Sequence, residues 1–137
     1  MELLHSGHPW IVAESPDGTI DGYAYAAPFK TRSAYRFTVE NSVYVDPDRV
    51  TRGTGTLLMR RLIAICEARR FRQMIAVIGD SANDASRELH LRLGFTMLGT
   101  LTGVGYKFGR WADAVIMQLP LGTGAGSAPE QDANTLS

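Results

Sequence analysis

The sequence predicts an α/β (α+β) fold: a mixed central sheet with antiparallel N-terminal strands, a parallel β-α-β centre and flanking helices. Three observations predict it. The first 45 residues hold three segments rich in β-branched and aromatic residues, which favour strands. An amphipathic helix pattern then precedes a continuous apolar run, as is typical of a buried parallel strand. A second helix pattern and two more strand patterns complete the order β-β-β-α-β-α-β-β.

The N-terminal part predicts an antiparallel hairpin and a third strand. Residues 10–14 and 19–29 have strand patterns, and the intervening SPDG has the composition of a turn. Residues 1–9 carry no clear pattern. The third strand covers residues 35–45, and the polar run Glu40-Asn41-Ser42 at its centre indicates either a bulge or a functional cleft.

The C-terminal part alternates helices and strands. Apolar residues recur at helical spacing over residues 55–70, and the run MIAVI at 74–78 predicts the buried strand. A second helix begins at Asn83 or Asp84, runs to Leu93 and ends at Gly94. We expect a strand at 95–100, a glycine- and aromatic-rich loop at 103–111, a final strand at 112–119, and a disordered tail over 122–137. Residues 1–121 therefore form one domain.

Composition restricts the class of protein. The chain has 137 residues, enough for one domain, and its fourteen basic and fourteen acidic residues cancel. Nothing therefore indicates nucleic-acid binding or a polybasic membrane surface. No apolar run is long enough to span a membrane, and no secretory signal opens the chain. The single Cys66 cannot form an internal disulfide, which fits a cytoplasmic location.

The stretch VDPDRVTRGTGTLL, residues 45–58, predicts an anion site. It joins a strand to a helix through a glycine-rich turn, and the first N–H groups of a helix attract negative charge. Gly53 and Gly55 remove Cβ atoms that would keep a pyrophosphate from the backbone, and Arg49 and Arg52 add charge. The Gly-Lys-Ser or Gly-Lys-Thr of a Walker phosphate loop is absent, which excludes that type of site. The dinucleotide-binding motif GxGxxG is excluded as well, because it would need glycine where the chain has Leu58. A plain tight turn remains the alternative.

Several motifs in order resemble the GNAT N-acetyltransferases. In their acyl-CoA loop, Gln/Arg-x-x-Gly-x-Gly/Ala, the first position here is Val50, preceded by Arg49. NDASRELHLRLGF, residues 83–95, resembles the second signature, with His90 in place of the usual Tyr. AYRFTVENSVYV, AVIG and GYKFGRWAD look like the phosphinothricin N-acetyltransferase family, and the similarity covers about residues 9–121.

The resemblance implies transfer of acetyl from acetyl-CoA to the amine of a small amino-acid-like substrate. Phosphinothricin, methionine sulfoximine or sulfone, and ordinary amino acids are all candidates. Glu40 matches the catalytic carboxylate, which would accept the proton of the amine. His90 would protonate the leaving thiolate or relay the proton. From position alone, Glu40 could equally be a solvated strand residue, and His90 a packed or solvated helix residue.

The resemblance also implies the binding residues. Those for the anionic acceptor are Lys30, Arg32 and Tyr35, for which a solvated basic loop is the alternative. Those for acetyl-CoA are Tyr44, Val45, Arg49, Arg52, Gly53, Thr54, Gly55, Asn83 and Ser86, although Asn83 by itself indicates a helix cap. Since His5, His8 and His90 lack metal-ligand spacing, we expect no metal.

Members of this family begin with a strand and two helices ahead of the strand at residues 10–14. This chain apparently lacks them, which leaves open a fragment, a misassigned start or a natural truncation. A second hypothesis is therefore a catalytically impaired acyl-CoA-binding or dimer-forming remnant of the fold. Acetylation of a protein N-terminus or lysine is a weaker third. A small-molecule amine and a second copy of the chain are the expected partners.

Overall fold

Seven strands form one mixed sheet in the computed structural model, which describes residues 2–5, 7–48, 53–79 and 84–130. The strands are β1 (Glu2–His5), β2 (His8–Glu14), β3 (Ile20–Pro28), β4 (Thr38–Val45), β5 (Gln73–Gly79), β6 (Thr96–Lys107) and β7 (Arg110–Pro120). The helices are α1 (Thr54–Ala68) and α2 (Asp84–Arg92), and short 3-10 turns cover Ser33–Tyr35 and Gly124–Gly126.

The strand order is β1-β2-β3-β4-β5-β7-β6. Strands β4 and β5 pair in parallel, whereas the other neighbours are antiparallel. Helix α1 joins the two parallel strands, as a crossover connection requires. The predicted mixed sheet, with antiparallel N-terminal strands and a parallel β-α-β centre, is confirmed.

Both helices lie on one face of the sheet. The buried residues of α1 include Leu58, Met59, Leu62 and Cys66, and α1 packs on β2, β3 and β4. A Cβ placed at Gly22 of β3 would lie 3.2 Å from Leu58, so this face of β3 looks toward α1. None of the described helices is both long and apolar enough to cross a membrane.

The other face carries a row of stacked aromatic rings. Trp10 lies 4.6 Å from Tyr25 between ring centroids, and Tyr23 lies 5.4 Å from Tyr44. These residues alternate along β2, β3 and β4 with those that face α1, as the two-residue period of a strand requires. Neither described helix therefore packs on this aromatic face.

At the two sheet edges the structure has strands that the sequence patterns did not predict, and the loop predicted at 103–111 was wrong. Residues 1–9 contain β1, which pairs with β2 from Glu2↔Ile11 to His5↔His8, because an edge strand can be held by main-chain bonds without a side-chain pattern. The predicted loop at 103–111 instead extends β6 and β7 into a long hairpin. Its turn is Phe108 and Gly109, both at positive φ. Gly103 and Gly105 lie where the β6–β7 register shifts, so these glycines belong to a bulge.

The beginning of the predicted disordered tail packs on the domain. Arg72 donates hydrogen bonds to the carbonyl oxygens of Ser127 at 2.8 Å and of Ala128 at 3.2 Å. The N–H of Gly122 donates to Glu67 at 2.9 Å. The segment from residue 122 therefore has defined contacts as far as Glu130, which pairs with Arg70. Residues 131–137 lie outside the described ranges.

Candidate functional site

A cleft opens between β4 and β5, and we call it the strand cleft. The two strands pair in parallel from Thr38↔Gln73 to Asn41↔Ala76 and no further. Beyond Asn41, β4 continues with β3 as far as Val45, and β5 continues with β7 as far as Gly79. The diverging edges enclose about 210 Å³. Strand edges that separate in this way can offer main-chain groups to an extended ligand.

A second cavity, the helix-terminus cavity, adjoins the strand cleft. It measures about 420 Å³ and lies between the end of β4 and the first residues of α1 and α2. Val43 and Ser86 line both spaces, so they form one path from the apex of the strand cleft to the start of α1. Five predicted acetyl-CoA contacts line this cavity: Tyr44, Val45, Gly53, Gly55 and Ser86.

Four further residues were predicted as acetyl-CoA contacts. Thr54 is buried as the first residue of α1. Arg49, Arg52 and Asn83 fall outside the described residues.

The two glycines of the turn have different roles. Gly53 is the N-cap of α1 at φ 72°, a left-handed conformation that glycine adopts without strain. Among the described residues, a Cβ there would meet no atom within 4 Å. At Gly55 a Cβ would lie 3.2 Å from Leu89 Cδ2 and 3.4 Å from Val45 Cγ2. Gly55 therefore lets α1 approach β4 and α2 closely, a packing role that the sequence pattern did not indicate.

Glu40 is half-buried on β4, beside Ala27 of β3 and Ile75 of β5. Burial raises the pKa of its carboxyl above the ordinary value, because a low dielectric disfavours the charged form. The β3–β4 register runs without a shift from Gly22↔Val45 to Pro28↔Val39. The bulge, one of the two predicted alternatives for this polar run, is therefore excluded, and Asn41 and Ser42 of the run line the strand cleft.

His90 is almost fully buried on α2. Its Nδ1 lies 2.7 Å from the carbonyl oxygen of Ser86, its Nε2 lies 3.1 Å from Nδ2 of Asn41, and the ring meets Phe95 edge-on. Burial lowers the pKa of His90, although the bond to Ser86 acts in the opposite direction. Asn41 was not among the predicted site residues, and its place in a polar run at mid-strand was the signal that could have revealed it.

The two predicted catalytic residues are not brought together. Asn41 contacts His90 on the helix-covered face of the sheet, and its neighbour Glu40 faces the opposite side. Both ring nitrogens of His90 are within hydrogen-bonding distance of protein groups. For His90 to donate a proton to the leaving thiolate, as predicted, one of its ring nitrogens would first have to leave its protein partner.

The three predicted acceptor-binding residues lie together. Lys30, Arg32 and Tyr35 line a cavity of about 480 Å³, the loop cavity, and all three are exposed. Nζ of Lys30 lies 5.4 Å from the centroid of the Tyr35 ring, within the range of a cation–π interaction. The loop follows β3, in which Ala27 is the partner of Glu40. An anion held here would therefore lie at the end of β3 nearer to Glu40.

Within the described ranges, no three His, Cys, Asp or Glu side chains are grouped to hold a metal ion.

Comparison with known proteins gives concordant results. The pattern of the acetyltransferase (GNAT) family matches residues 2–95. The chain is 51% identical over 129 residues to a phosphinothricin N-acetyltransferase of Alcaligenes faecalis, covering 94% of this chain and 65% of the relative. It is 44% identical over 116 residues to an L-methionine sulfoximine/L-methionine sulfone acetyltransferase of Salmonella typhimurium. That match covers 84% of this chain and 66% of the relative.

Among solved structures, a GNAT superfamily phosphinothricin acetyltransferase from Sinorhizobium meliloti in complex with AcCoA superposes with a TM-score of 0.88. That protein is 43% identical, and the match covers 94% of this chain and 69% of that one. The chain thus spans about two thirds of the length of the relatives it matches. Since the family pattern covers well over half of the chain, the chain belongs to the acetyltransferase (GNAT) family.

Proposed function

We propose that this protein transfers the acetyl group of acetyl-CoA to the primary amine of a small amino-acid-like molecule. The observation that carries the proposal is the continuous path from the start of α1 into the strand cleft. A pyrophosphate at one end and an extended thioester arm at the other match its shape. The named activities of the relatives from Alcaligenes faecalis and Salmonella typhimurium support the same reaction class.

The helix-terminus cavity supports binding of the CoA pyrophosphate. The first N–H groups of α1 and the helix dipole favour an anion there, and no atom of the described residues lies within 4 Å of where a Cβ of Gly53 would stand. We assign Arg49, Arg52 and Asn83 to the same ligand on the strength of the family resemblance alone. The main chain of Tyr44 and Val45 would then pair with the pantetheine arm, as a strand edge pairs with an extended peptide.

Glu40 is the proposed base. Its raised pKa suits a carboxylate that accepts a proton from the ammonium of the acceptor, directly or through water. The free amine attacks the thioester carbonyl, the new C–N bond forms, and the C–S bond breaks. The CoA thiolate leaves and takes up one proton. The products are the N-acetylated amine and CoA.

The loop cavity is the proposed acceptor site. The guanidinium of Arg32 and the ammonium of Lys30 would hold the carboxylate or phosphinate of the acceptor, and the Tyr35 hydroxyl could donate to the same anion. Phosphinothricin, methionine sulfoximine, methionine sulfone and free amino acids all present such anions beside a primary amine.

The second candidate is a catalytically impaired member of the fold that binds acyl-CoA or forms dimers. It is favoured by Val50, which stands at the first position of the acyl-CoA loop, where the family usually has Gln or Arg. A homodimer is proposed in either case, because the β6–β7 hairpin exposes Tyr106, Phe108 and Trp111. Sedimentation velocity tests it, and a monomer at high protein concentration would contradict it. A cytoplasmic location is proposed from the free, buried Cys66.

Calorimetry and product analysis test the main proposal. Folded protein is titrated with acetyl-CoA, and then incubated with acetyl-CoA and each candidate amine while N-acetylated product is measured by mass spectrometry. Binding with transfer to one or more amines is the expected result. Binding without transfer would favour the second candidate. Absence of binding by folded protein would overturn the main proposal and the acyl-CoA-binding form of the second candidate.

A further inference from the structure

Asn41 connects the centre of the sheet to both helices. It is 5% exposed and is the last residue of β4 that pairs with β5, so it marks the apex of the strand cleft. Its Nδ2 lies 3.1 Å from Nε2 of His90 on α2 and 3.6 Å from Sδ of Met59 on α1. A buried carboxamide in this position costs free energy unless its contacts offset it.

These contacts determine which nitrogen of His90 carries a proton. The carbonyl oxygen of Ser86 can only accept, so Nδ1 is the donor at 2.7 Å. The amide nitrogen of Asn41 can only donate, so Nε2 accepts and has no proton. Reversing the amide would require a doubly protonated ring, which burial of this imidazole disfavours. The ring is therefore neutral, with both nitrogens engaged.

Helix α2 depends on this connection. Leu89 and His90 are its buried residues, and α2 also carries Ser86, which lines both the strand cleft and the helix-terminus cavity. The contact between Asn41 and His90 thus anchors the wall shared by the two spaces. Losing it would leave Leu89 as the remaining buried side chain of α2.

We propose that Asn41 is a positioning residue that holds His90 as the Nδ1–H tautomer and thereby fixes α2 against the apex of the strand cleft. His90 then serves as an anchor for the wall of the cleft, and it does not deliver the proton to the leaving thiolate. The effect on acetyl-CoA rests on the proposed function, whereas the tautomer and the anchoring of α2 do not.

Nitrogen-15 NMR of the histidine rings tests the tautomer without ligand or turnover. The chain has three histidines, and His90→Gln assigns the signals of His90 by their loss. Near neutral pH we expect a protonated Nδ1 and a bare Nε2. Asn41→Asp should bring a proton to Nε2, because a carboxylate in that place accepts. A wild-type ring that is doubly protonated, or protonated at Nε2 alone, would overturn the proposal.

Hydrogen exchange and acetyl-CoA binding test the anchor. In Asn41→Leu we expect faster amide exchange in residues 84–92, with little change in the middle of α1. In Asn41→Leu the Kd for acetyl-CoA should rise about tenfold, because a tenfold change corresponds to the free energy of one hydrogen bond. His90→Phe should raise the Kd by the same factor, since it removes the same hydrogen bond. The double variant should be no weaker than either single one, since both remove the same contact. Leu91→Ala, exposed on the same helix, is the matched control.

Two results would separate this proposal from the proposed function. If wild-type protein does not bind acetyl-CoA but α2 loosens in Asn41→Leu, the anchor stands and the proposed function fails. If His90→Phe lowers kcat while the Kd and the exchange of α2 are unchanged, His90 takes part in proton transfer and the anchor is overturned. Unchanged exchange in a folded Asn41→Leu would overturn it as well.

Discussion

Glu40 and His90 lie on opposite faces of the sheet, although the partner of His90 is Asn41, the next residue after Glu40. One strand thus directs neighbouring side chains of the polar run to opposite faces of the sheet. Glu40 faces the side without a described helix, where an acceptor can approach from the loop cavity. Asn41 faces the helices and contacts the wall of the strand cleft. This separation is the reason why we propose Glu40, and not His90, as the base.

Glu40→Gln should separate binding from catalysis. Since glutamine cannot accept the proton of the amine, we expect turnover to fall on the order of a hundredfold or more, with the Kd for acetyl-CoA unchanged. In the wild type, kcat should increase with pH through the raised pKa of Glu40 and then level off. Steady-state kinetics between about pH 5 and pH 9 provide the check. Equal turnover in the variant across that range would exclude Glu40 as the base.

The same substitution should also change stability with pH. Burial raises the pKa of Glu40 in the folded protein, so the carboxylate opposes folding at neutral pH. Below the unfolded-state pKa of about 4.3 the group is neutral in both states, and this penalty disappears. We therefore expect Glu40→Gln to melt at a higher temperature than wild type near pH 7, with the difference lost in acid. A variant less stable at neutral pH would show that the carboxylate makes a favourable contact instead.

Arg32→Ala should weaken acceptor binding. Losing a charge-assisted hydrogen bond to the acceptor anion should raise the KM of the amine about tenfold or more, with little change in the Kd for acetyl-CoA. Arg61→Ala, an exposed arginine on α1, removes the same charge away from the loop cavity and serves as the control. Equal effects of the two substitutions on KM would point to general electrostatics and against a built acceptor site.

Gly22→Ala should destabilise the sheet beside the helix-terminus cavity. A Cβ at this position would lie 2.4 Å from the carbonyl oxygen of Tyr44, so β3 and β4 must separate to accommodate it. Overpacking of this kind costs about 1–3 kcal/mol of unfolding free energy. Gly99→Ala in β6 is the matched control, because a Cβ there meets nothing within 4 Å. Urea denaturation of both variants would measure the difference, and equal midpoints would contradict the prediction.

Cys66 should be unreactive in the folded protein. It is fully buried on α1, and burial raises the pKa of its thiol to about 12, so the reactive thiolate is scarce. Iodoacetamide should therefore modify the protein only in denaturant. Because Cys66 is the single cysteine of the chain, mass spectrometry reads the result directly. Rapid modification of the native protein would indicate that α1 opens more readily than its packing implies.

Much of the fold and the glycine turn before α1 could be predicted from local sequence. The turn at Gly53 is encoded locally, since a left-handed residue before an apolar periodic helix needs glycine. The buried strand β5 follows from its apolar run. Lys30, Arg32 and Tyr35 were predicted from the family resemblance and not from a local pattern, and the structure places them around one cavity. The strand pattern of residues 35–45 placed Glu40 at mid-strand.

The tertiary structure decided the features that depend on partners distant in sequence. Asn41 and His90 are 49 residues apart, and their contact exists because β4 and α2 meet at the apex of the strand cleft. The glycines of β6 belong to a bulge because β7 pairs beside them. Arg72 orders residues 123–128 through bonds that no periodic pattern encodes. The sequence by itself determined which side chains alternate along β4, but only the packing of the helices on one face determined which of those side chains contact a helix and which do not.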